Sequence, residues 1–374
     1  MPPLARRNLT HDKIRLTVTL TGIVFAVVLI VVQLGLFFGF TRATSNLIDH
    51  AGADLWVSSL HVPYVELGVS FSERKLNQVR AVPGVADAQK LVAQWTQWKR
   101  HDGAQESVQI VGFNPDSRLG QPWNLVQGRV EDLKTPDAVI VDEFYKQKLG
   151  VTRVGELFEM RGHRARVVGF TRGIRSFTTS PYVFSTFKNA QNFATIDEDK
   201  TTYILVKLAP GADRERVRQA ILGNVTNVEV YTAPQFSRMT TFYWMFTTGA
   251  GVAVLIAAAL GLFVGFVVVA QTIYATTVDH LREFGTLKAM GAPNSYISKV
   301  IMTQAGISAV IGYALGMVVS LFVVHGSEKG GAAILMPPSM AVGMFFLTLA
   351  MCVGAALVSI NKVTRIDPAM VFKG

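Results

Sequence analysis

The stretch VDHLREFGTLKAMGAPNSY, residues 278–296, places charges and glycines at helical spacing between two long uncharged runs. Val278, Leu281, Phe284 and Leu287 recur every three residues and form an apolar stripe. Asp279, Arg282, Glu283 and Lys288 supply the charged remainder. Gly291 is placed for a left-handed cap, Pro293 prevents simple continuation, and Asn294 or Ser295 can open the next helix. The chemistry open to such a segment is recognition: an apolar face for a partner's cleft, with a carboxylate and an ammonium to fix register. Two readings fit these residues. One is an amphipathic turn resting at a membrane surface, the other a docking helix for a cytoplasmic partner.

Groups able to make or break bonds are scattered. The seven histidines (His11, His50, His61, His101, His163, His280 and His325) are dispersed, with no His-Glu-x-x-His pair, so no metal site is expected. Cys352 is the single cysteine and lies in an apolar run, which excludes a disulfide framework. The chain carries neither a Gly-x-x-x-x-Gly-Lys-Ser/Thr phosphate cradle nor a Gly-x-Ser-x-Gly elbow. The reading is a non-enzyme: no catalytic residue, and no cofactor held by this chain.

These segments must be positioned by a membrane scaffold. Half of the residues are apolar yet 17% are charged, which fits spans combined with a sizeable water-exposed portion. The runs 16–40, 240–278, 300–324 and 330–361 lack any charge, and a crossing needs roughly 20 residues. Spans are therefore expected at 16–40, 242–277, 297–324 and 339–360. The second run exceeds a core of about 30 Å, and its aromatic start TFYWMF, 241–246, suits the interface, so this helix is expected to protrude. The twin arginine Arg6-Arg7 precedes a run that is long and has no convincing cleavage site, which favours an uncleaved first span over a signal peptide.

Lys and Arg collect on cytoplasmic flanks. The segment 1–15 carries Arg6, Arg7, Lys13 and Arg15, the tail 361–374 carries Lys362, Arg365 and Lys373, and only Lys329 lies in the loop 325–338. Both termini and 278–296 are placed inside, and 41–241 outside. The outer block has a net charge of about +4, so the chain's +10 is largely topological and nucleic-acid binding explains it poorly. The expected fold is an α-helical membrane protein with four transmembrane helices. A large extracytoplasmic α+β domain is inserted between helices 1 and 2.

Within that domain, 72–92 reads as a helix stopped by Pro83-Gly84 and followed by a strand. The segment 212–232 repeats the phrase, and the two suggest one α+β subdomain built from both chain segments. Residues 105–207 read as mostly β, with a short helix over 143–151, and are taken as a β-rich insertion. Trp56, Trp95, Trp98 and Trp123 are core or partner contacts, with core favoured. The spans hold amides, Gln33, Gln271 and Gln304, rather than charges, which argues against an ion-coupled carrier. The small-residue face over 249–265 favours close helix packing, within the chain or across a dimer.

The segment LREFGTLKAMGAPNSYI resembles the cytoplasmic helix of the FtsX/MacB-like ABC permease family. Glu283, Gly285, Leu287, Lys288, Ala289, Gly291 and Ala292 fall on its pattern. The ending RIDPAMVFKG, 365–374, and the phrase at 138–170 are similar to the same family. The first span with 33–57 looks closest to the DevC-type branch. The resemblance implies a bacterial inner-membrane protein paired as a homodimer, or with a related permease, on a separate ABC ATPase that binds ATP and Mg. It further implies mechanotransmission, in which motor closure moves the cytoplasmic helix and the outer domains open or close. A porter-like α+β part would sit beside the β-rich insertion. No ATPase is fused at this N-terminus, so the motor is expected in trans. On this resemblance Leu281, Arg282, Glu283, Phe284, Gly285, Leu287, Lys288 and Gly291 are assigned to ATPase coupling.

The leading functional reading is export of an amphiphilic or small toxic substrate. Membrane lipids, a membrane fusion adaptor and an outer-membrane channel are further partners. Alternatives are a transducer that activates a periplasmic partner such as a cell-wall hydrolase, and a motor-free membrane sensor.

Overall fold

The computed structural model describes residues 13–279, 281–327 and 334–364. Arg6, Arg7, His11, His280, Lys329 and the ending 365–374 lie outside the described residues. The chain divides into two compact units, Met1–Gly39 with Gly251–Gly374, and Phe40–Ala250.

In the membrane unit, Leu16–Thr44, Ala250–Asp279, Asn294–Ser327 and Pro338–Asn361 are helices long and apolar enough to cross a bilayer. Ile23, Val27, Ile30, Val269, Ile301 and Cys352 belong to its buried core. Lipid is as apolar as leucine, so association of such helices rests on close packing. Glycine permits it here. A Cβ on Gly265 would stand 2.6 Å from the Ala26 Cβ, and one on Gly312 would stand 2.5 Å from Ile23 Cγ2. The small-residue face of the second span is thus used inside the chain, against the first span. Span hydroxyls turn back on their own helix: Thr277 Oγ1 donates to the Ile273 carbonyl at 2.7 Å and Ser320 Oγ to that of Gly316 at 2.7 Å.

The inserted unit is built on one ten-stranded sheet. Its strands are β1 (Leu55–Ser58), β3 (Val85–Lys99), β4 (Gln105–Phe113), β5 (Leu125–Gln127), β6 (Ala138–Asp142), β7 (Leu157–Met160), β8 (His163–Thr171), β9 (Tyr182–Thr186), β11 (Tyr203–Leu208) and β12 (Glu229–Thr232). The order is β12-β1-β11-β3-β4-β9-β6-β8-β5, with β7 pairing β3 and β8. β2 (Phe71–Ser72) and β10 (Lys200–Thr201) form a separate pair.

Helices Lys75–Arg80 and Arg214–Asn224 cover one end of the sheet. Leu76, Val79, Val217 and Ile221 pack with Leu55, Val57, Ile204, Val206 and Val230. The two helix–turn–strand phrases therefore meet in one subdomain. The structure differs over 105–207, expected as an insertion of its own. β11, at the end of that range, sits between β1 and β3, and β3 runs on to pair with β4. Alternation on the 15-residue β3 explains the continuity: Leu91 and Ala93 enter one core cluster while Val92 and Trp98 enter another. Trp56 and Trp98 are fully buried, and Trp95 and Trp123 half-buried.

Trp98 Nε1 donates to the Leu149 carbonyl at 3.0 Å, so its polar edge is satisfied in the core. Trp98→Ala is expected to destabilise the inserted unit by about 3–5 kcal/mol, read as a lower denaturation midpoint of the full chain.

The second span departs from the single helix expected from 242. Helix Ala233–Phe242 is followed by a π-helical turn, Tyr243–Thr247, and the membrane helix proper starts at Ala250. Gly249 adopts φ +79°, which breaks the α-helical path. The aromatic start read as interfacial helix is instead a separate connector.

Candidate functional site

Helix Leu281–Ala289 carries Glu283 in its first turn and Lys288 in its last, the polarity that the helix dipole favours. It ends in a paired cap. Gly291 has φ +93°, its N–H donates to the Lys288 carbonyl at 2.9 Å, and the Ala292 N–H reaches that of Leu287 at 2.9 Å. These two bonds define a Schellman motif, which needs a left-handed residue where glycine stands. Among the described residues nothing lies within 4 Å of a Cβ built on Gly291, and its positive φ makes the requirement conformational. Gly291→Val is expected to cost about 1–2 kcal/mol, measured as a lower melting temperature in lipid nanodiscs.

The helix places its predicted site residues unevenly. Glu283 is exposed, Gly285 is buried, and Lys288 is half-buried. Leu287 is half-buried and packs against the core of the membrane unit. Leu281, Arg282 and Phe284 lie on the helix, but their side chains are outside the described residues. An outward face is defined by the exposed side chains that are described. That face holds Glu283, Thr286 and Met290, at i, i+3 and i+7, and Met290 is 71% exposed. Sequence reading missed Met290, because a methionine beside a capping glycine passes for a helix end. Its signal was a large apolar residue in phase with Glu283. The arrangement can offer a partner one soft apolar contact flanked by a carboxylate, and among the described residues no cluster of three or more His, Cys, Asp or Glu could hold a metal.

The fold and this helix together define a multi-pass membrane protein with an α+β domain of periplasmic type between its first and second spans. Residues 16–223 match the MacB-like periplasmic core domain, and residues 255–368 match the FtsX-like permease C-terminal domain. The chain belongs to this MacB/FtsX family of ABC transporter permeases. The uncharacterized ABC transporter permease Rv0072 of Mycobacterium tuberculosis is 26% identical over 379 residues, covering 99% of both chains. The macrolide export ATP-binding/permease protein MacB of Escherichia coli is 21% identical over 392 residues, 98% of this chain and 59% of MacB. Among solved structures, the periplasmic region of MacB from Actinobacillus actinomycetemcomitans aligns with a TM-score of 0.39 at 12% identity, covering 51% of this chain and 94% of that one. The extracellular domain of YknZ from Gram-positive bacteria aligns with a TM-score of 0.35 at 14% identity, covering 44% and 90%.

Proposed function

We propose that this permease couples ATP hydrolysis by a separate cytoplasmic ATPase to movements of its inserted domain, and so exports an amphiphilic or small toxic compound. The observation that carries the proposal is the capped helix Leu281–Ala289 between two candidate spans, with Glu283, Thr286 and Met290 outward. Met290 enters an apolar cleft on the motor while Glu283 sets register with a cation at its rim. Gly285 and Leu287 act from the other side. They anchor the helix to the membrane unit, so a push on its outer face reaches the spans.

In this proposal both termini and the 281–289 helix are cytoplasmic, as the Lys and Arg flanks favour. ATP and Mg belong to the partner ATPase. The permease works as a homodimer or with a related permease, and an adaptor and outer-membrane channel receive the substrate. The test is recovery of the chain from native membranes in mild detergent, with identification of what stays bound. A co-purifying ABC ATPase is the expected result. Recovery without any ATPase, under conditions that keep other membrane complexes whole, contradicts the proposal.

A further inference from the structure

The connector Tyr243–Thr247 lies in the inserted unit and is tied to the rest of it around one buried acid. Glu66 is 2% exposed, and its Oε2 accepts the indole N–H of Trp244 at 3.1 Å. Tyr243 stacks on Tyr64 with ring centroids 4.3 Å apart, and Trp244 lies 5.1 Å from Tyr64 and 5.4 Å from Phe177. The loop carrying Glu66 is fixed on both sides: the Val65 N–H donates to Thr240 Oγ1 at 3.2 Å, and the Tyr203 hydroxyl to the Val65 carbonyl at 2.8 Å. The aromatic contacts are non-directional. The Glu66–Trp244 bond is a directional link between this loop and the π-helical turn, beside the Tyr64–Tyr243 hydroxyl pair, and it is the one that depends on a carboxyl group able to ionise.

We propose that Glu66 is a protonation-controlled latch, holding the connector that precedes the second span against the rest of the inserted unit while its carboxyl is neutral. A carboxylate buried among aromatic rings loses its hydration, and one indole donor replaces only part of it. Burial accordingly pushes the Glu66 carboxyl up to about 7, against the opposing hydrogen bond from Trp244. The titratable groups facing it are phenols: Tyr64 and Tyr243 at the stacked pair, Tyr182 on β9 and Tyr203 on β11. The Tyr182 hydroxyl is buried and has no hydrogen-bond partner among the described residues.

The sign follows from the raised value. Below the ordinary carboxyl range of about 4.5 the group is neutral whether folded or not, and its contribution is fully present. As pH rises through about 7 that contribution is lost, since the ionised group must regain water. Hydration requires the loop at Glu66 and the turn at Trp244 to part. The ligand of this device is the proton, and its output is the freedom of the connector.

The test uses the full chain in lipid nanodiscs, labelled with 5-fluorotryptophan, with the Trp244 resonance assigned by Trp244→Phe. Between about pH 5.5 and about pH 8.5 that resonance is expected to shift with a single midpoint near 7. In Glu66→Gln, which keeps the acceptor and removes the charge, it is expected to stay in its low-pH position throughout. A Trp244 resonance that does not move in the native chain, or that moves equally in Glu66→Gln, overturns the latch. Trp244→Phe supplies a readout independent of the glutamine variant. It deletes the donor that favours the ionised form, so the protonated carboxyl band in the infrared is expected to persist to higher pH than in the native chain. An unchanged or lower midpoint for that band overturns the proposal.

Discussion

Glu283→Arg is expected to abolish coupled export while leaving ATP hydrolysis by the bound motor measurable and the permease assembled. Glu283 is exposed on the first turn of the 281–289 helix and does not belong to the hydrophobic core. The substitution does place a cation at the helix N-terminus, where the dipole disfavours it by about 0.3–1 kcal/mol. The larger effect falls on the proposed contact. Reversing the sign of Glu283 sets two cations against each other across the contact, which costs on the order of several kcal/mol, a loss of roughly thirtyfold or more in the fraction of correctly docked motor. Transport and hydrolysis measured together in proteoliposomes check this, with Glu283→Gln expected to fall between the native protein and the reversal. Equal transport per ATP in Glu283→Arg and the native protein would remove Glu283 from the coupling face.

The second large effect is expected at Gly312→Leu. A Cβ there meets Ile23 Cγ2 at 2.5 Å and Ile23 Cβ at 2.8 Å, both on the neighbouring first span, and a leucine adds three further carbons. Overpacking of a well-filled core costs typically about 1–3 kcal/mol, and in a membrane there is no hydrophobic drive to hold the displaced helices together. The expected outcome is a sharp fall in the monodisperse fraction after extraction in mild detergent. Gly306→Leu is the matched control in the same helix, since among the described residues nothing lies within 4 Å of a Cβ on Gly306. Equal yields for the two variants would show that the close approach at Gly312 does not support the membrane unit.

Four spans and an α+β insertion were legible because long uncharged runs and helix–turn–strand phrases are local patterns. The Schellman cap was legible for the same reason: Gly291 and Pro293 stand next to the bonds they permit. What was not legible depends on partners distant in sequence. The place of β11 between β1 and β3 is fixed by pairings such as Trp56 with Leu205 and Leu205 with Gln89, which alternation alone cannot choose. The break at Gly249 was hidden by an uninterrupted apolar run, because hydropathy averages over a residue whose effect is conformational. Leu287 has the hydropathy of a docking residue, yet its contacts are with the core of its own membrane unit. Glu66 carried no sequence signal, since one glutamate in a loop reads as solvated until burial and Trp244 are seen.

The central claim is that the outward face of the 281–289 helix is where a separate motor pushes. A photo-crosslinking amino acid placed at Met290 in the full-length permease in native membranes tests it most directly, with the same probe at Leu60 in the inserted unit as the control. An adduct is expected between position 290 and an ABC ATPase, and no such adduct from position 60. Absence of an ATPase adduct at 290, or equal adducts from both positions, would contradict that claim.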